Sequence, residues 1–204
     1  ILYPGGRLPD SRADIVVVLR GPAESVILRE KQKVAGIWVN ADSARFRSMP
    51  SFYAVASSRP LDELVKERAA AIYELGVDHL QLSPSSPDSA EKQTRFEAGL
   101  VDLKRRGGLY VEDPRGVQIT DGVLYRARIA IPARVPVGKY TAETFLIQDG
   151  RVLAAAVRDV EIDKSGFERF VATSARSHSI VYGLCAMMIP LLFGWAASLI
   201  FRRR

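Results

Sequence analysis

Two histidines, one cysteine and a scatter of carboxylates are the side chains here that could do chemistry. His79 and His178 lie far apart in sequence. Neither has a second His or a Cys at metal-ligand spacing, so no zinc-type site is expected. Cys185 is the single cysteine, which excludes an intrachain disulfide; inside an apolar run it reads as a small packing residue. Asp62 and Glu63 are adjacent and would diverge on a helix. Asp159 and Glu161 share a strand face and read as surface charge. Gly5-Gly6 opens no phosphate-binding turn, and no Gly-x-Ser-x-Gly elbow occurs. No nucleophile, base and orienting group can be nominated together. The expectation is a non-enzymatic protein without catalytic residues, cofactor or metal.

Charge narrows the partners. The 204-residue chain carries a formal +6, and Arg202, Arg203 and Arg204 supply three of those charges. Lys104-Arg105-Arg106 is the other dense run and reads as a solvated face; the alternative is a patch for lipid headgroups or an anionic partner. No basic stripe with interleaved aromatics is present, which argues against a nucleic-acid partner.

The elements that must position these residues are mainly strands. Asp14–Arg20 (DIVVVLR) reads as a core strand, and Ser25–Arg29 as a second, paired with it in a hairpin across Gly21-Pro22. Gly36–Asn40, Ala44–Arg47 and Phe52–Ser57 are further short strands. The period then changes. Leu61, Leu64, Val65, Ile72 and Leu75 fall near helical spacing, with Gly76 as the stop. After a Ser/Pro loop, Asp88 or Ser89 caps a second helix reaching about Arg106, with Phe96, Leu100 and Leu103 on one face. Residues 61–106 therefore read as a helical insertion. Val117–Thr120 with Val123–Ile131, and Lys139–Ile147 with Arg151–Ile162, read as hairpins across Asp-Gly turns. Pro136-Val137-Gly138 ahead of Tyr140 looks like a tyrosine corner; its alternative is an ordinary turn with a core tyrosine. The expected fold is mainly β, an immunoglobulin-like β-sandwich over residues 1–165 with that insertion.

The end of the chain differs in kind. Residues 166–179 are polar and read as a juxtamembrane helix. Ile180–Phe201 is 22 residues without a charge. As a helix it spans roughly 33 Å, enough for a hydrocarbon core of about 30 Å. Ala186, Pro190, Gly194 and Ser198 recur every four residues, a stripe that lets another helix approach closely. The alternative is a lone anchor with incidental small residues. Pro190 is expected to kink the helix. Arg202–Arg204 adjoin the apolar run and place the C-terminus in the cytoplasm, with residues 202–204 as a basic tail. The β domain is then extracytoplasmic, which requires a signal peptide ahead of Ile1.

Several segments together carry a resemblance: DIVVVLRGP at 14–22, VAGIWVN at 34–40, PSFYAVASSRPL at 50–61, GGLY at 107–110, VPVGKYTAE at 135–143, GFERF at 166–170 and YGL…GW…FRRR at the end. The chain resembles the alphaproteobacterial putative transmembrane protein family over nearly its whole length. That resemblance implies a signal peptide, a periplasmic domain and one C-terminal span in the inner membrane. It also implies an opening strand, with Ile1 expected to fall within or just after it, and genes neighbouring a permease similar to sulfite exporters. It implies no catalytic residues. The expected function is an accessory or assembly subunit of a larger inner-membrane complex, transport or energy-transducing. It would contact other integral membrane subunits through its helix, within the lipid bilayer. The alternative is a periplasmic ligand-binding or sensing module beside an anion-exporter-type permease. That reading requires a concave apolar pocket with converging polar groups, placed between the insertion and the sandwich.

Overall fold

The computed structural model describes residues 13–82, 89–120, 124–163 and 179–201. The chain divides into two units, Ile1–Ile162 and Asp163–Arg204.

The first unit is built on β1 (Asp14–Arg20). Its run of five apolar residues has no alternation because both faces are covered. Val16 and Val18 join Tyr53, Val55, Phe145 and Ile147 in one cluster. Ile15, Val17 and Leu19 turn to the other side, against residues such as Ala54, Ala56 and Leu146. Strand β2 (Ala23–Val34) and β3 (Ile37–Pro50) form a long hairpin, followed by β4 (Tyr53–Ser57). Helices α1 (Leu61–Leu64) and α2 (Glu67–Tyr73), a 3-10 turn (Val77–His79) and helix α3 (Ala90–Arg106) come next. Then follow β5 (Tyr110–Asp113), β6 (Val117–Thr120), β7 (Leu124–Ala127), β8 (Gly138–Gln148) and β9 (Arg151–Ile162).

Five strands make one sheet in the order β5-β4-β1-β8-β9; β2-β3 and β6-β7 are separate two-stranded ribbons. All pairs in the sheet are antiparallel except β4-β5, which is parallel. The fold is mainly β with a few helices. The described strands depart from an immunoglobulin pattern at the parallel β4-β5 pair, since that sandwich is antiparallel throughout. The expected β1-β2 hairpin is also corrected. Gly21-Pro22 turns the chain, but β2 pairs with β3 while β1 inserts between β4 and β8. A double-sided apolar strand gains more by burial in the sheet centre than beside a half-exposed neighbour.

The insertion between β4 and β5 is helical as expected, with a different division. The single helix read over 61–75 is broken at Val65, which is extended (φ −131°, ψ 137°) and bridges to Gly150. Its second piece ends at Tyr73, with Glu74 left-handed, so Gly76 is not the helix stop. Ile72 points outward at 63% exposure. Ser89 caps α3, its Oγ accepting from the Lys92 backbone N–H at 3.4 Å. Phe96 and Leu100 are buried, but Leu103 is exposed and Lys104 takes the next inward position. Of the basic run, Arg105 and Arg106 are exposed as a solvated face requires, and only Lys104 turns inward. Lys104 donates to Glu24 at 2.5 Å and to the Ser51 carbonyl at 3.4 Å. Arg105 pairs with Asp78 and Arg106 with Asp102.

Both later hairpins are found, but the second strand of the first, read to Ile131, ends at Ala127, and the residue 121–123 turn lies outside the described residues. Asp149 and Gly150 both have positive φ, as a type I′ hairpin turn requires. Tyr140 is fully buried and donates its hydroxyl to the Pro136 carbonyl at 2.7 Å, the local contact of a tyrosine corner.

In the second unit, helix α4 runs from Ser179 to Phe201. Residues 164–178, including the expected juxtamembrane helix and His178, and Arg202–Arg204 lie outside the described residues. Among the described residues no helix is long and apolar enough to cross a membrane. As a whole element α4 is 23 residues without a charged side chain.

Lys104 yields a test. Lys104→Ala strips a buried stem and leaves Glu24 unpaired, costing about 1–3 kcal/mol, since Glu24 keeps partial access to water. Lys104→Met retains the packing and costs less. Urea unfolding of the full chain in detergent micelles, followed by near-UV circular dichroism, reads both.

Candidate functional site: an acidic cleft under the helical insertion

The insertion leaves a cleft of about 620 Å³ against the edge of the sheet, within the usual range for a small-molecule site. Its wall on the sheet side is Val55 and Ser57 of β4 with Glu112 and Asp113 of β5. Its other walls come from α1, α2 and the 3-10 turn. The apolar floor is Val55, Leu61, Val65, Ala70 and Leu75.

One side chain fastens these walls. The Tyr53 hydroxyl donates to the Glu74 carbonyl at 2.6 Å and accepts from the Gly76 N–H at 3.0 Å. Both backbone groups sit where the chain leaves α2 in unusual conformations, Glu74 at φ 50° and Gly76 at φ 111°. Only glycine adopts the latter without strain. Arg20 stacks 5.8 Å from the Tyr53 ring centroid and pairs with the Glu74 carboxylate. Tyr110 meets the same ring edge-on at 6.0 Å. Glu112 of β5 accepts from the Val77 N–H and fixes the start of the 3-10 turn.

The lining is electrostatically one-sided. It holds five carboxylates, Asp62, Glu67, Asp78, Glu112 and Asp113, and no Lys or Arg among the described residues. Arg105 stands just outside, 3.1 Å from Asp78 and 3.9 Å from Glu112. Asp113 is partly occupied by the Arg115 N–H at 3.0 Å. Asp62 and Glu67 are exposed at the mouth. A concave wall of one sign over a low-dielectric floor concentrates counter-charged solutes.

Ser57 and His79 both line the cleft, but no hydrogen bond joins them to each other or to a carboxylate among the described residues. No group of three or more His, Cys, Asp or Glu is placed to hold a metal ion among the described residues. A cationic organic group, its charge among the acids and its carbon on the floor, is the species the lining suits.

In sequence Asp62 stands beside Glu63 as a pair that diverges on a helix, His79 has no ligand-spaced partner, and nothing local singles out Glu67, Asp78, Glu112 or Asp113. Asp159 and Glu161 are exposed on β9, away from the cleft. Ala186, Pro190, Gly194 and Ser198 all lie on α4 and are exposed there. The signal missed was the count of acids over 62–78 and 112–113; only the parallel β4-β5 pairing turns that count into one surface.

The chain is a mainly β domain with a helical insertion, followed by an apolar helix. The chain belongs to the family described as Putative transmembrane protein (Alph_Pro_TM), whose model matches residues 2–203. No curated protein and no solved structure matches it.

Burial raises the Tyr53 hydroxyl well above the usual tyrosine range, against the Gly76 hydrogen bond and the Arg20 charge, which lower it. The sign follows: the folded state holds this proton longer than the unfolded chain does. Stability is complete below about pH 10 and falls as pH rises past it, by up to about 1.4 kcal/mol per unit. Tyr53→Phe flattens that slope to what Tyr110 and Tyr140, also raised by burial, contribute. At neutral pH the same variant costs about 1–3 kcal/mol, because the Glu74 carbonyl and Gly76 N–H lose their partner. Urea titrations of both proteins at several alkaline pH values measure the two effects.

Proposed function

We propose that this protein is a membrane-anchored binding module whose cleft takes a cationic organic ligand. The observation that carries the reading is the cleft itself: five carboxylates above an apolar floor, closed by the Tyr53 clamp. It stands where a binding module needs it, between the insertion and the sheet. The same charge argues that an anion carried by an exporter-type permease is not its ligand, because the lining would repel it. Of the immunoglobulin-like reading, the Tyr140 corner is the part retained.

The anchor is α4. Its length and lack of charge support a single crossing, and Arg202–Arg204 support a cytoplasmic C-terminus with the β domain in the periplasm. A second reading is favoured by one feature of that helix. Ala186, Pro190, Gly194 and Ser198 form an exposed stripe, and a Cβ added at Gly194 meets nothing within 4 Å. A partner helix packed there would make the module a subunit of a larger inner-membrane complex. The two readings are compatible.

Thermal unfolding of the full chain in micelles, with amines and guanidines set against size-matched carboxylates, tests the cleft. Cations raise the midpoint, as ligands that bind only the folded state must. Asp62→Asn with Glu67→Gln, both exposed, weakens that binding about tenfold or more. The proposal is lost if no cation stabilises the chain beyond its matched anion. For the helix, Gly194→Leu with Ser198→Leu releases subunits that co-purify with the tagged protein. Unchanged co-purification argues against the stripe.

A further inference from the structure

The β2-β3 hairpin extends past everything that packs against it. Its lower part is held to α3 by Lys92–Asp42 at 2.6 Å and Arg95–Glu30 at 3.0 Å. Beyond those pairs every residue from Lys31 to Ala41 is exposed. The finger turns at Ala35 (φ 50°) and Gly36 (φ 87°), positive at both positions as a tight type I′ turn requires. Around this turn sit Val34, Ile37, Trp38 and Val39, at 55%, 69%, 66% and 41% exposure. Register pairs Val34 with Ile37 and Lys33 with Trp38. Lys31 and Lys33 are the only charges between Glu30 and Asp42.

We infer that this fingertip inserts into the interfacial layer of a lipid bilayer carrying anionic headgroups. Three observations select lipid over a protein partner. The apolar residues form a narrow point, whereas a stable protein interface buries about 1,200 Å² or more. A tryptophan beside two lysines matches the boundary of a bilayer, where an indole sits at headgroup depth and ammonium groups meet phosphates. The tip also carries no acid to oppose an anionic surface. The inference rests on the reading that α4 crosses a membrane. Tethering then holds the finger at high effective concentration near lipid, so a contact too weak to bind alone is populated.

The test uses the full chain with Trp195→Phe, which leaves Trp38 as the single indole. The protein is reconstituted in vesicles of phosphatidylcholine and phosphatidylglycerol in equal parts, or phosphatidylcholine alone, with acyl chains brominated in parallel samples. Brominated lipid quenches Trp38 in the anionic vesicles and shields it there from added iodide. Quenching falls several-fold in the neutral vesicles and in Lys31→Glu with Lys33→Glu. Both lysines are exposed, and far-UV circular dichroism checks that the variant folds. If Trp38 ignores brominated lipid and stays open to iodide in both vesicle types, the proposal is overturned. It is equally overturned if shielding appears only on adding solubilised membrane proteins. Extraction with alkaline carbonate separates the underlying reading. A chain stripped from the vesicles removes the anchor and this proposal with it; a chain that stays while Trp38 remains unquenched removes this proposal alone.

Discussion

The structure of the cleft depends on one hydroxyl. Tyr53 stands on β4, beside the central strand, and binds two backbone groups where the chain leaves α2. An N–H and a carbonyl in a left-handed turn have no helical partner and must find one. Tyr53 supplies both from a site almost free of water, where each bond is worth more and its loss costs more. Arg20 completes the arrangement from β1, above the ring and against Glu74. The geometry of the insertion is thereby referred to the two most buried strands. Leu75, Gly76, Asp78 and His79 all follow this point in the chain, and all line the cleft.

Local pattern and final structure agree where burial alone decides. DIVVVLR is apolar at every interior position, and it becomes the strand covered on both sides. The β8-β9 hairpin is announced by Asp149-Gly150, and both residues take the positive φ such a turn demands. Disagreement begins where a distant backbone intervenes. Leu61 to Leu75 has the spacing of one helix, yet Val65 gives up helical geometry for a bridge to Gly150, far along the chain. Lys104 has the composition of a surface residue and lies inward because Glu24 and the Ser51 carbonyl receive its charge. No local window contains those partners.

The cleft was illegible for the same reason. Asp62 and Glu67 belong to helices, Asp78 to a turn, and Glu112 and Asp113 to a strand that follows α3. Each alone is an ordinary surface carboxylate. Their convergence is a product of the parallel β4-β5 pairing, which requires a long crossover, and the insertion is that crossover. The helices that look like an interruption of a β protein are thus what makes an edge strand parallel and the edge concave. The Tyr140 corner was legible because its donor and acceptor lie four residues apart.

Charge sorting links the cleft to the rest of the molecule. The chain as a whole is basic, at +6, while the cleft gathers five acids with Arg105 at its margin. Within residues 1–162 the balance is nearly even, 23 Lys and Arg against 21 Asp and Glu, so five acids gathered in one hollow leave basic residues in excess elsewhere in that unit, a sorting that repels cations weakly at long range and holds them at short range. Salt screens the long-range part within about 10 Å at ordinary ionic strength, so arrival is governed by the cleft itself. Beside an anionic membrane the balance shifts again. Such a surface neutralises outward lysines and arginines and enriches cations nearby, leaving the acidic hollow the stronger local attractor.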